Sequence, residues 1–266
     1  MGLEMLISGL NVKSEEVLDK MQPECNAVFV NQCDRDGYEK LNKNGHTIKV
    51  FYRNERGVGK SRNLALANAA GDILLFSDED IRYYNGYAQN VLNTFREHPE
   101  ADLILFNVEV CPERKTYWNE GFKPVKWYNC GRYPAYSIAV RREKLMKAGV
   151  VYSELFGGGA KYSNGEDSLF LKQCADCGFK MYASEVVIGK EEPRESTWFH
   201  GYTEKFFFDR GVLFSFLYKN LAWIWALRFI MTKKEMFQGD IGRGRAYSLI
   251  RKGIRQGNAE RKQKGV

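Results

Sequence analysis

Three acidic side chains follow a short apolar run in the first third of the chain. The run is Ile73–Phe76, and Ser77 then leads into Asp78, Glu79 and Asp80. A run of this length predicts a strand buried on both faces, and open α/β sheets bind ligands just beyond the carboxyl ends of such strands. In an extended segment Asp78 and Asp80 point the same way and Glu79 points the opposite way. Because adjacent carboxylates repel one another, we expect a hard divalent ion here, with substrate phosphates completing its shell.

A solvated acidic turn is the alternative for these three residues, since short acidic motifs recur by chance. A second acidic pair bears on that choice. Gly157–Gly159 lead through Gly165 to Glu166 and Asp167, at the start of a helix predicted over 168–177. One acidic residue would be enough for a favourable interaction with the helix dipole, so the dipole does not explain the pair. A carboxylate at this place can also take a proton from an attacking hydroxyl. We therefore predict that Asp167 and Glu166 are catalytic.

A glycine-led helix start provides candidate contacts to phosphate. The segment Asn54–Ser61 resembles a phosphate-binding P-loop, but Asn54 stands where that motif needs glycine for its tight turn. A P-loop nucleotidase is therefore a minor alternative. The helix start at Gly57, with Lys60 and Arg62 nearby, still suits a pyrophosphate.

The candidate metal ligands include one histidine. His200 lies in the aromatic run Trp198–Gly201, after the last predicted strand. A lone histidine among aromatic residues is commonly structural, yet neutral imidazole is also a good ligand for Mn²⁺. The metal set predicted from the sequence is Asp80, Asp78 and His200.

The elements that must position these residues follow an alternating pattern. Apolar periodicity, turn residues and helix-start signals predict helices alternating with strands at spacings that suit a mostly parallel, wound sheet. Strands are predicted at 3–10, 27–30, 47–52, 73–76, 102–110, 136–140 and 180–188, and helices at 14–21, 60–70, 87–97, 141–148 and 168–177.

Composition excludes several classes of protein. The chain has 266 residues, of which 44% are hydrophobic, enough to bury a substantial core and to exclude general disorder. The net charge of +7 comes from 228–266, which hold eleven Lys/Arg and three Asp/Glu, so a nucleic-acid-binding domain is not expected. Six scattered cysteines without a secretory signal pattern predict reduced thiols in the cytoplasm.

The character of the sequence changes near Glu204. Phe206–Met231 is rich in Phe, Leu and Trp, but charged residues interrupt it, and its longest uncharged run is well short of the ~20 residues that a spanning helix needs. Two interpretations are open: helices packed on the body, or an amphipathic element on the inner face of the cell membrane beside the basic tail. We expect a catalytic domain over 1–203 and a helical, basic extension over 204–266.

Taken together, the motifs at Gly57–Asn63, Leu74–Asp80 and Gly165–Asp167 resemble those of family 2 glycosyltransferases with the GT-A fold, over roughly residues 3–200. That fold is a wound mixed sheet flanked by helices. The resemblance implies a nucleotide-sugar-binding half over 1–105 and an acceptor half over 106–203. It implies a nucleotide-diphospho-sugar donor, Mg²⁺ or Mn²⁺, and inversion at the anomeric carbon. The C-terminal pattern suggests a glycan or lipid-linked acceptor, as in cell-surface polysaccharide assembly.

The resemblance also implies roles for individual residues. Asp167 matches the general base, with Glu166 as its neighbour and acceptor contact. Asp80 matches the metal-binding acid, Asp78 matches the acid near the donor ribose, and Glu79 between them belongs to the donor site. A histidine after the last core strand, which is His200 here, can complete the metal shell in similar enzymes.

This chain departs from the family pattern at two places. The family usually ends its second strand in Asp-Asp-Gly-Ser, where an acid reads uracil, but this chain has Asn31–Asp34. The side-chain oxygen of Asn31 could still accept from uracil N3–H, so Asn31 and Asp34 are the predicted base contacts. The usual Pro-x-Tyr-Asn after strand one is replaced by Leu10-Asn11.

Overall fold

Ten strands and eight α-helices form the structure, a computed structural model that describes residues 1–192, 201–237 and 241–263. The strands are β1 Leu3–Leu10, β2 Asn26–Gln32, β3 Gly37–Lys43, β4 His46–Arg53, β5 Ile73–Asp78, β6 Ile81–Tyr83, β7 Leu103–Glu109, β8 Lys123–Val125, β9 Ile138–Arg141 and β10 Met181–Glu191. The helices are α1 Ser14–Met21, α2 Val58–Ala67, α3 Tyr87–Glu97, α4 Arg142–Ala148, α5 Glu166–Asp176, α6 Glu204–Tyr218, α7 Ala222–Thr232 and α8 Arg243–Gln263.

All strands belong to one mixed sheet, in the order β3-β4-β2-β1-β5-β9-β7-β10-β6, with β8 also paired to β10. Strands β4, β2, β1 and β5 are mutually parallel, and β9 runs antiparallel to both β5 and β7. The chain builds outward from β1 through β2 to β4 and then returns across α2 to place β5 on the other side of β1. The strand order therefore reverses between β1 and β5, where α/β sheets form a ligand crevice.

Side-chain alternation along the central strands supplies two core layers. On β1, Met5 and Ile7 pack in one layer with α1 and α3, whereas Leu6 packs in the other with α2, α4 and α5. On β2, Val28 and Val30 lie on the same face as Leu6. This period of two, together with helices on both faces, confirms the predicted wound mixed sheet.

The predicted pattern of elements omitted three of the ten observed strands. Strand β3 forms an antiparallel hairpin with β4 through Asn44-Gly45, both with positive φ (52° and 80°), as a two-residue hairpin turn requires. Its side chains are half-buried or exposed, so it lacks the apolar signal on which the prediction relied. The short strands β6 and β8 were also omitted. Helix α1 covers Ser14–Met21, the range predicted from the sequence.

The three C-terminal helices have a core of their own. Phe207, Phe214 and Ile250 are among its buried residues, and α6 packs closely on α8. Contact is close enough that a Cβ added at Gly211 or Gly253 would overlap the backbone of the facing helix. In the part of the chain that the structure describes, no helix is both long and apolar enough to cross a bilayer.

Candidate active site

A cavity of about 330 Å³ opens where the strand order reverses. Ser8 on β1 lies opposite Asp78 on β5, and both reach the cavity from the ends of their strands. The later acidic pair reaches the same cavity from the start of α5. The cavity is lined by Ser8, Gly9, Leu10, Gln32, Val58, Ser61, Arg62, Asp78, Glu79, Asp80, Arg114, Thr116, Pro134, Tyr136, Gly158, Glu166, Asp167 and Glu191. The two acidic motifs, separate in sequence, therefore share one site.

Arg62 connects the two motifs. Its side chain, 5% exposed, lies on α2, and its Nη2 is 3.1 Å from Asp78 Oδ1. Its Nη1 is 2.7 Å from Asp167 Oδ1 and 3.2 Å from Glu166 Oε1. Burial alone would lower the pKa of Arg62, but the carboxylates of Asp167 and Asp78 raise it well above its usual range. A permanent cation thus holds three carboxylates together at the centre of the site.

Asp167 is held at both carboxyl oxygens. Oδ1 accepts from Arg62, and Oδ2 accepts the backbone N–H of Ala135 at 3.0 Å. Burial raises the pKa of Asp167 to about 7, with the Arg62 charge opposing the rise and the nearby Glu166 carboxylate adding to it. A carboxylate with a pKa close to neutrality, in a fixed orientation, is suited to proton transfer.

The cavity is strongly acidic. Its described lining residues include six carboxylates and two guanidinium groups, those of Arg62 and Arg114. Arg114 is paired with Glu191 at 2.8 Å. A diphosphate group is itself anionic, so it would be repelled from this lining unless a cation entered with it.

The oxygen donors at the end of β5 fit a divalent ion. Asp78, Glu79 and Asp80 all line the cavity, and carboxylate oxygens are the ligands that Mg²⁺ and Mn²⁺ prefer. Within residues 1–192, 201–237 and 241–263, no three His, Cys, Asp or Glu side chains are arranged to hold an ion by themselves. Ions of this type often take one or two carboxylates and complete their shell with substrate phosphates. His200, the third predicted ligand, lies outside the described residues.

The glycine-led start of α2 is packed against the second glycine-rich loop. Val58 N donates to Gly158 O at 2.9 Å, and a Cβ added at Gly157 would overlap Val58 and crowd Glu166. These glycines therefore allow protein segments to approach one another closely. Of the predicted phosphate contacts, Arg62 lines the cavity, whereas Gly57 and Lys60 do not. Lys60 is instead 3.3 Å from Glu55.

Asn31, a predicted base contact, is directed away from this cavity. Its Nδ2 donates to Val12 O at 2.6 Å, and with Asp34 it lines a different surface depression. Asp34 is paired with Arg56 at 2.8 Å. The residue on β2 that reaches the cavity is Gln32, whose Nε2 donates to Gly57 O at 3.1 Å.

Gln32 was missed by the motif comparison, although strand alternation could have identified it. Val28 and Val30 pack on the same sheet face as Leu74 and Phe76, whose strand ends in Asp78. Counting by two from Val30 reaches Gln32, whereas Asn31 falls on the opposite face. The period of the strand therefore identifies the cavity residue better than the motif position does.

The C-terminal helices hold the loop that leads to Glu166 and Asp167. Asp209 on α6, 2% exposed, accepts from both the backbone N–H and the hydroxyl of Ser163, each at 2.9 Å. Glu260 on α8 accepts from Tyr162 Oη at 2.6 Å and from Lys161 Nζ at 2.5 Å. Burial alone would raise the pKa of Glu260, but these hydrogen bonds lower it to about 2.

The same helices also crowd the residue directly before the acidic pair. Leu213 on α6 packs so closely that a Cβ added at Gly165 would overlap its side chain. The sequence did not indicate that residues after Glu204 would contact this loop, because the contacting acids are separated from it by more than forty residues.

Comparison with solved structures shows the fold. The S. aureus TarS 1–349 structure is 16% identical over 96% of this chain and 71% of its own, with a TM-score of 0.56. TarS 1–349 in complex with UDP-GlcNAc gives a TM-score of 0.57 at the same identity, covering 96% of this chain and 72% of that one. The mannosyltransferase PcManGT from Pyrobaculum calidifontis, in complex with GDP-Man and Mn²⁺, is 15% identical over 97% of this chain and 75% of its own, with a TM-score of 0.52.

Comparison with curated proteins found no match to the chain. A family model described as Glycosyl transferase family 2 matches residues 14–149, about half of the chain. The matched region spans β2 to β9 and includes the Asp78–Asp80 motif. The chain therefore belongs to glycosyl transferase family 2, and it is a glycosyltransferase with the GT-A fold.

Proposed function

We propose that this chain is an inverting, metal-assisted glycosyltransferase that moves a hexosyl group from a nucleotide-diphospho-sugar, most simply a UDP-sugar, to an acceptor hydroxyl. The observation that carries the proposal is the shared cavity. Asp78, Glu79 and Asp80 enter it from β5, and Asp167 enters it from α5. One group suits an ion bound to diphosphate, and the other suits removal of a proton.

Asp80 and Asp78 are the residues that would hold the ion, which would supply charge stabilisation to the departing diphosphate. The carboxylates that line the cavity support this role, because without an ion they would repel the anionic diphosphate of the donor. Glu79 belongs to the same donor site. The relatives in fold support the donor class, since TarS is seen with UDP-GlcNAc and PcManGT with GDP-Man and Mn²⁺.

In the proposed reaction Asp167 accepts the proton of the acceptor hydroxyl as that oxygen attacks the anomeric carbon. The new carbon–oxygen bond forms on the face opposite the bond to the diphosphate, which breaks and leaves its electron pair on the nucleoside diphosphate. A single displacement of this kind converts an α-linked donor into a β-glycoside. Arg62 and Ala135 N–H fix the orientation of the Asp167 carboxyl. Glu166 helps to hold Arg62 and lies beside the acceptor.

The base end of the donor is assigned to Gln32 in this proposal. Its Nε2 donates to Gly57 O, so the amide is oriented, and its Oε1 is an acceptor of the kind that uracil N3–H requires. Asn31 and Asp34 line the other depression and are given no donor contact in this proposal. The acceptor is proposed to be a glycan or a lipid-linked saccharide used in cell-surface polysaccharide assembly, with the enzyme peripheral on the inner face of the membrane.

Slow hydrolysis of the donor tests the proposal without the acceptor. The protein is incubated with UDP-, GDP- and dTDP-sugars, each with Mn²⁺, with Mg²⁺ or with EDTA, and released nucleoside diphosphate is measured. We expect release from one nucleotide class, dependent on the metal and lost in Asp167→Asn. Binding without release from any donor would favour a non-catalytic nucleotide-binding protein that keeps the fold. Hydrolysis of ATP or GTP in the same assay would favour the P-loop alternative.

A further inference from the structure

Helix α7 exposes several of its large apolar side chains. Its small residues Ala222 and Ala226 are buried (1% and 0% exposed), whereas Trp223 and Met231 are each 57% exposed. Ile224 and Leu227, on the same side, are each 44% exposed. Soluble proteins bury large apolar side chains and seldom expose several of them together.

The exposed apolar residues of α7 lie on one side of the helix. Positions 223, 224, 227 and 231 fall within an arc of about 100° on a helix with 3.6 residues per turn. Aromatic residues of another segment lie beside α7, where the Trp127 ring is 6.5 Å from the ring of the half-buried Trp225. Trp127 and Tyr128 are 45% and 59% exposed. We call the surface formed by Trp223, Ile224, Leu227, Met231, Trp127 and Tyr128 the apolar face.

The charges on α7 and directly beside it in the sequence have one sign. From 219 to 233 the sequence contains three basic residues, Lys219, Arg228 and Lys233, and no acidic residue. All three basic side chains are exposed. A second copy of this chain would bring the same positive charges together, whereas an anionic lipid surface would attract them. Tryptophan is also the residue type that favours the boundary between water and lipid.

From these observations we propose that the apolar face of α7 inserts into the surface of a bilayer containing anionic lipid, with Lys219, Arg228 and Lys233 contacting headgroups. The helix has eleven residues and would lie in the plane of the surface. This deepens the peripheral location proposed above and assigns it to α7, which lies within the Phe206–Met231 stretch that the sequence offered as an amphipathic element beside the basic tail. In this structure Glu260 of that tail holds the loop before the catalytic pair.

Part of the apolar face belongs to a chain segment that also reaches the cavity. Trp127 and Tyr128 belong to the segment between β7 and β9, and that segment also supplies Arg114 and Thr116 to the cavity lining. An acceptor anchored in the same bilayer by a lipid would then be confined to the surface on which the enzyme lies. The membrane surface would concentrate the acceptor beside the site.

Vesicle sedimentation tests this inference without using catalysis. The full chain is mixed with vesicles of phosphatidylcholine alone or with one-third phosphatidylglycerol, and the pelleted fraction is measured. The test variant is Trp223→Ala/Leu227→Ala/Met231→Ala, which keeps helix-forming residues in α7. Its matched control is Met146→Ala/Val151→Ala, which removes exposed apolar residues elsewhere. We expect the wild type and the control to pellet with anionic vesicles, and the test variant to lose about tenfold or more in partition coefficient.

Two results would overturn the inference: failure of the wild type to pellet, or equal pelleting of the test variant. Equal pelleting with phosphatidylcholine alone would refute the role of the basic residues, which Arg228→Gln/Lys233→Gln tests independently. If the wild type forms a dimer in the absence of vesicles and the test variant does not, the apolar face binds a second copy of the chain instead of a membrane. Donor hydrolysis is measured on the same samples, so that failure of the proposed reaction and failure of membrane binding are read separately.

Discussion

Replacing Asp167 with asparagine tests the central chemical assignment through its pH dependence. The variant keeps the size of the side chain and an oxygen that can accept from Arg62 or Ala135 N–H, but it cannot take a proton. Burial raises the pKa of Asp167 to about 7, so the wild-type base is half ionised at that pH. The rate of donor hydrolysis should then fall about tenfold for each pH unit below 7 and level off above it. An acid with its ordinary pKa of 3.8 would give a flat profile down to about pH 5.

The same shift predicts a change in stability. A folded-state pKa above the unfolded value means that the folded protein binds this proton more tightly. The stabilisation is complete below about pH 4, is lost as the pH rises to about 7, and then stays constant. A rise from 3.8 to about 7 corresponds to up to about 4 kcal/mol, for a side chain that is 21% exposed. Urea unfolding between pH 4.5 and 8 should show the free energy of unfolding of the wild type falling relative to that of Asp167→Asn as the pH rises.

The kinetic assay has a definite negative outcome. The rate of transfer or hydrolysis by Asp167→Asn should fall by about 10²–10⁴-fold at pH 8. Donor affinity should change little, because the carboxylate that is removed accepts the proton during the reaction and does not bind the donor. A wild-type profile that is flat from pH 5 to 8, or an acidic limb that persists in the variant, would refute the assignment of Asp167 as the base.

Three further changes test the rest of the site. Asp80→Ala should weaken nucleotide binding in the presence of Mn²⁺ but not in EDTA, and calorimetry showing equal binding with and without the metal would contradict its ligand role. Gln32→Ala should raise the donor KM by about three- to tenfold with kcat little changed, whereas Asn31→Ala should not; the reverse ranking would restore the motif-based assignment. Asp209→Ala should lower kcat more than it raises the donor KM, because the backbone N–H and the hydroxyl of Ser163 lose their acceptor and the loop before Glu166 and Asp167 is no longer held. Glu204→Ala, at the exposed start of the same helix, is its control, and equal effects of the two would argue against a positioning role.

Much of the fold follows from local sequence patterns. The apolar runs of β1 and β5 specify buried strands by themselves, and α3 was predicted over its full length, from Tyr87 to Glu97. The two acidic motifs could also be recognised, because charged groups directly after a buried strand or at a helix start are unusual enough to stand out. The hairpin strand β3 could not, since an edge strand with mixed side chains has no periodic apolar signal.

The composition of the site depended on tertiary structure. Arg62 was expected near phosphate, but the fold brings the end of β5 and the start of α5 to it, so its guanidinium contacts three carboxylates. Packing also raised the pKa of Asp167, because desolvation depends on the surrounding atoms rather than on neighbours in sequence. That Gln32 and not Asn31 lines the cavity depends on both sequence and tertiary structure. The strand period places the two side chains on opposite faces of the sheet, but only the assembled sheet shows which face borders the cavity.

The C-terminal region shows the division most clearly. The sequence by itself determined that this region is helical, apolar and basic, because those properties depend on the types of nearby residues and not on distant segments. Only the tertiary structure decided that Asp209 and Glu260 turn inward to hold the loop before Glu166 and Asp167 while Trp223 and Met231 turn outward. Helix rotation and packing depend on shape complementarity between segments distant in sequence, and no local pattern encodes that.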